Sequence, residues 1–150
     1  MTNDSDDPVH DLVHDHADLN RRVRELGEHL DATGPLPSLL PALRELREQM
    51  FLHFAREEEG LFPLVSDWIP ELSDEVLAMV GAHDAVCGAL ARMLHLASTE
   101  AAAATLPGLL ARFQAAYGDH SRTEAGLLQR LDARLDATQR AQLAELVRSL

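Results

Sequence analysis

The sequence predicts an all-α protein, an up-down-up-down four-helix bundle with a short C-terminal helix. Aromatic residues make up only 4% of the 150 residues, and the apolar residues recur at helical spacings rather than alternating as in strands. Four such stretches with short connections are typical of an antiparallel bundle. The length and the 46% hydrophobic content suit one core, so we expect an acidic tail over 1–7 and a single domain over 8–150.

The first helix is predicted to begin at Asp7 and Pro8. An aspartate side chain caps the free N–H groups of a first turn, and a proline fits the first helical position. The turn over 32–35, with its Ala-Thr-Gly-Pro sequence, should end this helix, because glycine and proline favour turns. A second stretch with apolar residues at helical spacing then begins near Ser38.

The end of the second helix depends on one proline. Proline lacks an N–H group and clashes with the preceding turn, so the helix either ends at Pro63 or continues with a kink toward Trp68. The third helix is predicted to begin at Ser73, which together with the two acidic residues after it favours a helix start. We expect this helix to end within 98–104.

A fourth helix is predicted from about Thr105 to Leu135, because apolar residues recur along this stretch every three or four positions. Thr138 is then expected to cap a short amphipathic helix that extends to the C-terminus. We expect this last helix to pack on the bundle; the alternative is contact with a second chain.

Charge and composition exclude several classes of function. Thirteen basic residues against twenty-five acidic ones give a net charge of −12, which repels nucleic acids and anionic membranes. All thirteen are arginine, so lysine-dependent Schiff-base, pyridoxal and P-loop chemistry is excluded. The single cysteine, Cys87, provides no disulfide framework, and the acidic N-terminus is unlike a signal peptide. We expect a cytoplasmic protein, a monomer or a homodimer, that binds neither nucleic acid nor membranes.

Each of the four long helices carries one histidine on its apolar stripe. These histidines are His16, His53, His83 and His120. Two of them are followed one turn later by a carboxylate, Glu57 and Glu124, on the same helix face. A lone histidine on such a stripe is usually a core residue, but an unpaired carboxylate in a core is very costly.

The same residues repeat at a separation of 67 positions. Three pairs share this separation: His16 and His83, His53 and His120, and Glu57 and Glu124. Because the apolar frame around them repeats as well, we infer two copies of a helix-pair unit. Packed as a bundle, the two units place four imidazoles and two carboxylates at one level of a shared interior.

Such a set of side chains is typical of a metal centre. Imidazole suits iron, zinc, copper and nickel, and a carboxylate shared by two ions offsets their charge. Bundle cores hold carboxylate-bridged two-metal sites with ligands from facing helices. Two histidines and a share of two glutamates leave each ion an open position for dioxygen, peroxide or nitric oxide. On the first helix His14 is a competing candidate, but His16 fits the apolar stripe better.

The ordered pattern resembles the hemerythrin-like, or HHE cation-binding, domain family. The resemblance spans roughly 12–135, and its most specific part is 53–63, with the pattern His-Phe-x-x-Glu-Glu-x-x-Leu-Phe-Pro. It implies a bundle with a non-haem di-iron centre, in which the four histidines are terminal ligands and Glu57 and Glu124 are the bridges. Zinc or manganese in place of iron is left open.

Two positions depart from the oxygen-carrying members of that family. Those members place a second histidine where this chain has Cys87, and an aspartate where it has Ala125. The chain therefore looks like a symmetric four-histidine branch, for which metal binding is implied more strongly than reversible oxygen carriage. Three nearby side chains keep two interpretations each: Cys87 as redox thiol or ligand or as core, Tyr117 as hydrogen-bond donor or as packing, and Glu58 as partner of a metal-bound imidazole or as solvated.

The predicted function is binding of, or reaction with, a small oxidant at a carboxylate-bridged di-iron site. Whether the chain turns that oxidant over as an enzyme is left open. One alternative is an oxidase or oxygenase acting on an organic substrate, which needs an opening beside the metals lined by small residues such as Gly81, Gly88 and Ala91. Another alternative is a non-redox module that stores or senses metal.

Overall fold

A computed structural model describes residues 7–31, 36–99 and 104–150, and all regular structure in these ranges is helical. The α-helices are Pro8–Asp31 (α1), Leu40–Ala55 (α2), Phe62–Trp68 (α3), Ser73–Ala97 (α4), Leu106–Asp132 (α5) and Ala137–Arg148 (α6). Short 3₁₀ segments, Leu36–Leu39 and Pro70–Leu72, precede α2 and α4, and a π-helical segment, Arg56–Leu61, joins α2 to α3. The all-α prediction is confirmed for the described residues.

The four long helices contact one another in a closed ring. α1 packs against α2 and α5, and α4 packs against the same two helices. Their apolar stripes form two buried clusters, which include respectively Leu19, Met50, Leu90 and Phe113, and Leu12, Leu61, Met79 and Leu127. α1, α4 and α5 contribute to both clusters, whereas α2 contributes to the first and its continuation through the π-helical segment and α3 contributes to the second. Each of these four helical stretches therefore passes through the level at which the clusters meet.

The ends of α1 and α4 agree with the sequence only in part. Asp7 caps α1 as predicted, with its Oδ1 accepting a hydrogen bond from the N–H of Val9 at 3.1 Å. Ser73 is the first residue of α4, but no side chain caps this end, because the 3₁₀ turn Pro70–Leu72 leads directly into the helix. α4 ends at Ala97. The predicted turn over 32–35 lies outside the described residues, and so do residues 100–103 of the stretch 98–104 in which α4 was predicted to end.

The cap predicted for the last helix is wrong. Asp136, not Thr138, precedes α6, and its Oδ1 accepts a hydrogen bond from the N–H of Gln139 at 2.8 Å. The Gln139 side chain in turn accepts the N–H of Asp136 at 3.0 Å, which is a capping box. α5 ends at Asp132 rather than Leu135, although Leu135 is still buried.

The second helical stretch continues past Pro63 to Trp68. The N–H of Phe62 bonds to the carbonyl of Glu57, five residues earlier, as in a π-helix. Pro63 then lies in the first turn of α3, where the ring and the missing N–H of a proline are tolerated. Single π-helical turns inside α-helices are frequent at functional sites, and this one contains Glu57 and Glu58.

One described stretch, Pro70–Ala97, has the length and the mean hydropathy, 1.3, of a helix able to cross a membrane. It includes α4, which carries His83 and packs against α2, α3 and α5. A helix in the core of a bundle meets the same criteria, so these criteria do not separate the two cases. The cytoplasmic location stays a prediction.

Candidate metal centre

The six side chains predicted as metal ligands are buried together in the bundle. Among the described residues, seven polar or charged side chains are buried: the six predicted ligands and Ser121. Both glutamates of the set are 0% exposed. The other histidines are all exposed: His10, His14, His29 and His95. Burial therefore favours His16 over His14 as the candidate ligand on α1.

Each long helix places its histidine where the two apolar clusters meet. On α5, His120 lies between Tyr117, which belongs to one cluster, and Leu127, which belongs to the other. Glu124 follows His120 by one helical turn and shares its face. Glu57 takes the equivalent place in the π-helical segment. The helical period that builds the core therefore also directs the polar side chains inward.

The ligand atoms form two groups that share both glutamates. One group is His16, His53, Glu57 and Glu124, and the other is His83, His120, Glu57 and Glu124. Within each group, one ligand atom from every residue lies within 4.8 Å of all the others. Each histidine pair belongs to one of the helix-pair units inferred from the sequence. The structure thus brings the six predicted residues together, and their role as ligands stays a prediction.

Glu57 contacts histidines of both helix-pair units. Its Oε1 lies 2.8 Å from His53 Nε2, and its Oε2 lies 3.1 Å from His83 Nε2. Burial disfavours the charged form, but the rings of His16, His53 and His83 outweigh burial and hold the pKa of Glu57 well below its usual range. Glu57 is therefore ionised, which is the form that binds a metal.

Glu124 makes equivalent contacts, with its Oε2 2.8 Å from His120 Nε2 and 2.9 Å from His16 Nε2. Despite these short distances, none of the four carboxylate oxygens of Glu124 and Glu57 accepts a hydrogen bond that is well aligned in angle as well as short. Buried acceptors without partners are rare and costly. The donor set therefore fits a bound cation, which would satisfy all four oxygens at once.

Two further carboxylates contact Nδ1 atoms on the outer side of the centre. Glu58 Oε1 lies 2.7 Å from His83 Nδ1, and Asp15 Oδ2 lies 3.6 Å from His53 Nδ1. The sequence left Glu58 open between this role and a solvated one, and the structure shows the contact with His83. Asp15 was missed; the only signal available was its place directly before a predicted ligand.

One histidine of each group has a shifted pKa, and the two shifts have opposite directions. Burial lowers the pKa of His53, but Asp15 and Glu57 outweigh burial and raise it to about 9. Burial, followed by the neighbouring His83, lowers the pKa of His120 to about 4. His120 is therefore neutral at pH 7, which is the form that binds metals. His53 must release a proton when a metal binds.

Aromatic rings close one side of the centre. Phe54 stacks on His83 with ring centroids 3.7 Å apart and planes 11° apart, and it meets His120 edge-on at 5.6 Å. Phe62 lies 5.7 Å from His83. Both phenylalanines are buried, so they exclude water from the His83 and His120 side of the site.

The small residues that could line an opening for an organic substrate, Gly81, Gly88 and Ala91, all lie on α4. A Cβ atom added at Gly81 or Gly88 meets no other atom within 4 Å, and Gly81 and Ala91 are exposed. A cavity of about 530 Å³ lies instead between α1 and α5, lined among others by Gly27 and Tyr117. None of these three small residues lines that cavity.

Cys87 and Tyr117 lie next to the centre without belonging to either ligand group. Cys87 is half-buried, and burial, followed by the charges of Glu58 and Asp84, raises its pKa to about 11. It is therefore a neutral thiol at pH 7, which favours a core role. Tyr117 is 3% exposed, and burial, followed by the charge of Glu57, raises its pKa, so its hydroxyl keeps its proton.

The fold and the site together define a class of helical proteins that hold metal cations between histidine and glutamate side chains. The family model of the hemerythrin HHE cation binding domain matches residues 7–131. The chain therefore belongs to the hemerythrin HHE cation-binding domain family, which confirms the resemblance seen in the sequence. Neither the curated proteins nor the solved structures gave a significant match.

Proposed function

We propose that the protein holds two iron ions in the bundle and that a small oxidant, namely dioxygen, peroxide or nitric oxide, binds or reacts there. The observation that carries this proposal is the pair of ligand groups that share two fully buried glutamates. Imidazole and carboxylate together suit iron in bundle cores. In this proposal Glu57 and Glu124 bridge the ions, and the four histidines are terminal ligands.

Bound iron supplies redox chemistry toward the oxidant, and the protein supplies the surroundings. Ionised Glu57 offsets cationic charge in the interior. Neutral His120 presents a ring nitrogen without first losing a proton. Phe54 and Phe62 keep water from one side of the site, which strengthens the electrostatic interactions inside it.

The same aromatic packing favours a small ligand over an organic substrate. Phe54 lies against His83 at 3.7 Å between ring centroids, which leaves no room for a larger molecule on that side. An oxidase or oxygenase would have to admit its substrate along the cavity between α1 and α5, which is lined by Tyr117. A non-redox module for metal storage or sensing is the remaining alternative. The identity of the metal that the protein holds distinguishes this alternative from the proposal.

We also propose that the bundle runs up-down-up-down and consists of two helix-pair units, α1–α2 and α4–α5, within one domain over 8–150. The ring of contacts among the long helices and the separation of 67 positions support this arrangement. α6 packs against α1 and the π-helical segment, where the Val147 side chain lies close to Gly60. In this proposal the protein is a monomer or homodimer in the cytoplasm, and its net charge of −12 disfavours binding to nucleic acid and to anionic membranes.

The test begins with metal analysis of protein purified without added metal. We expect close to two irons per chain, and an optical spectrum of the reduced protein that changes on exposure to at least one of the three oxidants. Zinc or manganese in place of iron would support the non-redox alternative. Little or no metal after anaerobic loading with ferrous iron would contradict the proposal. Oxygen uptake that rises with added organic metabolites would support the oxidase instead.

A further inference from the structure

The candidate centre has two halves, each with one histidine pair: the first half is His16 and His53, and the second half is His83 and His120. The two halves have different outer contacts. In the second half, Glu58 Oε1 lies at hydrogen-bond distance, 2.7 Å, from His83 Nδ1. In the first half, Asp15 Oδ2 lies 3.6 Å from His53 Nδ1, beyond a normal hydrogen bond.

The two outer carboxylates also differ in charge balance. Arg56 Nη1 lies 3.3 Å from Asp15 Oδ2 and neutralises that carboxylate. Among the described residues, no arginine lies within ion-pair distance of Glu58, whose contact is with His83. The side chains of Glu58 and Asp15 are 33% and 34% exposed. Solvent therefore screens both carboxylates to a similar extent, and their effects on the neighbouring histidines differ for another reason.

The sequence repeat shows that this asymmetry is built into the chain. The positions 67 residues after Asp15 and Glu58 are Ala82 and Ala125, which cannot supply a carboxylate. His120 Nδ1 and His53 Nδ1 are both buried without a hydrogen-bond partner, whereas His83 Nδ1 lies 2.7 Å from Glu58 Oε1. The six ligand positions repeat, whereas their outer partners do not.

A carboxylate that accepts the free N–H of a metal-bound imidazole fixes the ring and makes it a stronger ligand, and its removal typically costs about 10–100-fold in metal affinity. We propose that Glu58 is a positioning residue that acts through His83 and makes the second half the tighter site. Iron then binds first and leaves last between His83 and His120. The proposal rests on the proposed two-iron function.

Chelator treatment of the intact protein tests the order of release. Protein loaded anaerobically with ferrous iron is treated with an iron chelator until one iron per chain remains, then crystallised, and the iron is located by anomalous diffraction. We expect the remaining iron in the second half. An iron found in the first half, or split evenly between the halves, overturns the proposal.

Three variants separate this effect from general destabilisation. Glu58→Gln keeps the side-chain shape but loses the charge, and it should weaken the tighter iron by about 10–100-fold and abolish or reverse the order of release. Arg56→Gln leaves Asp15 without its counter-charge and should tighten the first half, which a merely destabilised protein would not do. Glu59→Gln, at the exposed neighbouring position, is the matched control and should release iron as the wild type does.

The outcomes for the proposed function and for this inference are distinct. If wild-type protein never holds two irons, the proposed function is contradicted, and the inference with it. If it holds two irons that leave in the same order in Glu58→Gln as in the wild type, only the inference is overturned.

Discussion

The Nε2 atoms of His83 and His120 face each other 3.1 Å apart inside the bundle. His83 Nε2 also lies 3.1 Å from Glu57 Oε2, and His120 Nε2 lies 2.8 Å from Glu124 Oε2. Only one proton fits between two ring nitrogens at this distance, so at least one ring presents a lone pair to its neighbour. Helix packing therefore holds electron-pair donors together in an arrangement that a shared cation would stabilise.

Removal of one carboxylate shared by both groups should abolish the proposed two-metal occupancy. Glu124 is fully buried and contacts His120 and His16, so Glu124→Ala removes a candidate ligand from both groups at once. We expect the iron content to fall from close to two ions per chain to one or fewer. Glu59→Ala, at an exposed position on the π-helical segment, is the control and should retain the full load. A full load in Glu124→Ala would show that the bridging role is assigned wrongly.

Metal removal should lower the thermal stability. A ligand that binds only the folded state stabilises it by about 4 kcal/mol at a concentration a thousandfold above its Kd, which corresponds to roughly 10 °C in Tm for a chain of this size. We expect a drop of that order when a chelator is added to the iron-loaded protein in a thermal scan. The Tm of Glu57→Ala should fall by less than that of the wild type when the chelator is added, because this variant lacks one shared carboxylate. An equal response in both proteins would contradict two-metal binding at this site.

The sequence predicts well which polar side chains are buried together at the candidate centre, because the same helical period governs the core and the site. A residue such as His83 shares its helix face with Val80 and Val86, so apolar spacing alone directs it inward. The repeat at 67 positions then associates His16 with His83 without any knowledge of the packing.

The remaining details depend on interactions that spacing does not reveal. The π-helical turn arises from a change of hydrogen-bond partner at Phe62, which leaves no periodic mark in the sequence. The contact of Arg56 with Asp15 joins residues 41 positions apart. The cap predicted at Thr138 is wrong because Asp136, two residues earlier, is also a good capping residue, and only the geometry of the loop decides between them.

The two capping candidates of α6 give a matched test of that geometry. Asp136→Ala removes the hydrogen bond that its side chain accepts from the N–H of Gln139, so the free energy of unfolding should fall by about 1 kcal/mol. Thr138→Ala should change it by less than about 0.5 kcal/mol, as for most exposed substitutions. Urea unfolding of the metal-loaded proteins measures both values. A larger loss for Thr138→Ala would return the cap to the residue that the sequence favoured.

Cys87 should behave as a buried thiol and not as a ligand. Burial raises its pKa to about 11, and only the thiolate reacts with alkylating agents. The rate of its reaction with iodoacetamide should therefore keep rising between pH 9 and 11, where a cysteine in a short unstructured peptide has levelled off. Cys87→Ala should retain its iron load and optical spectrum. Loss of either would give the thiol a place at the metal centre.

The metal-free protein should be most stable near pH 6.5, the ordinary pKa of histidine. The pKa of His120 is lowered to about 4, so between pH 4 and 6.5 the unfolded chain binds more protons at this residue, and stability rises with pH. The pKa of His53 is raised to about 9, so between pH 6.5 and 9 the folded chain binds more protons, and stability falls as pH rises. Glu57, whose pKa is lowered, adds to the loss on the acidic side below its ordinary value of 4.5.

Urea unfolding of chelator-treated protein between pH 4.5 and 9 measures this profile. His53→Gln removes the group that carries the alkaline decline, so its stability should stay level from pH 6.5 to 9 while the acidic decline persists. His10→Gln, which changes an exposed histidine, should follow the wild-type profile. If the wild type were equally stable at pH 6.5 and 9, the contacts of His53 with Asp15 and Glu57 would not favour its charged form, and this electrostatic account of the empty centre would be wrong.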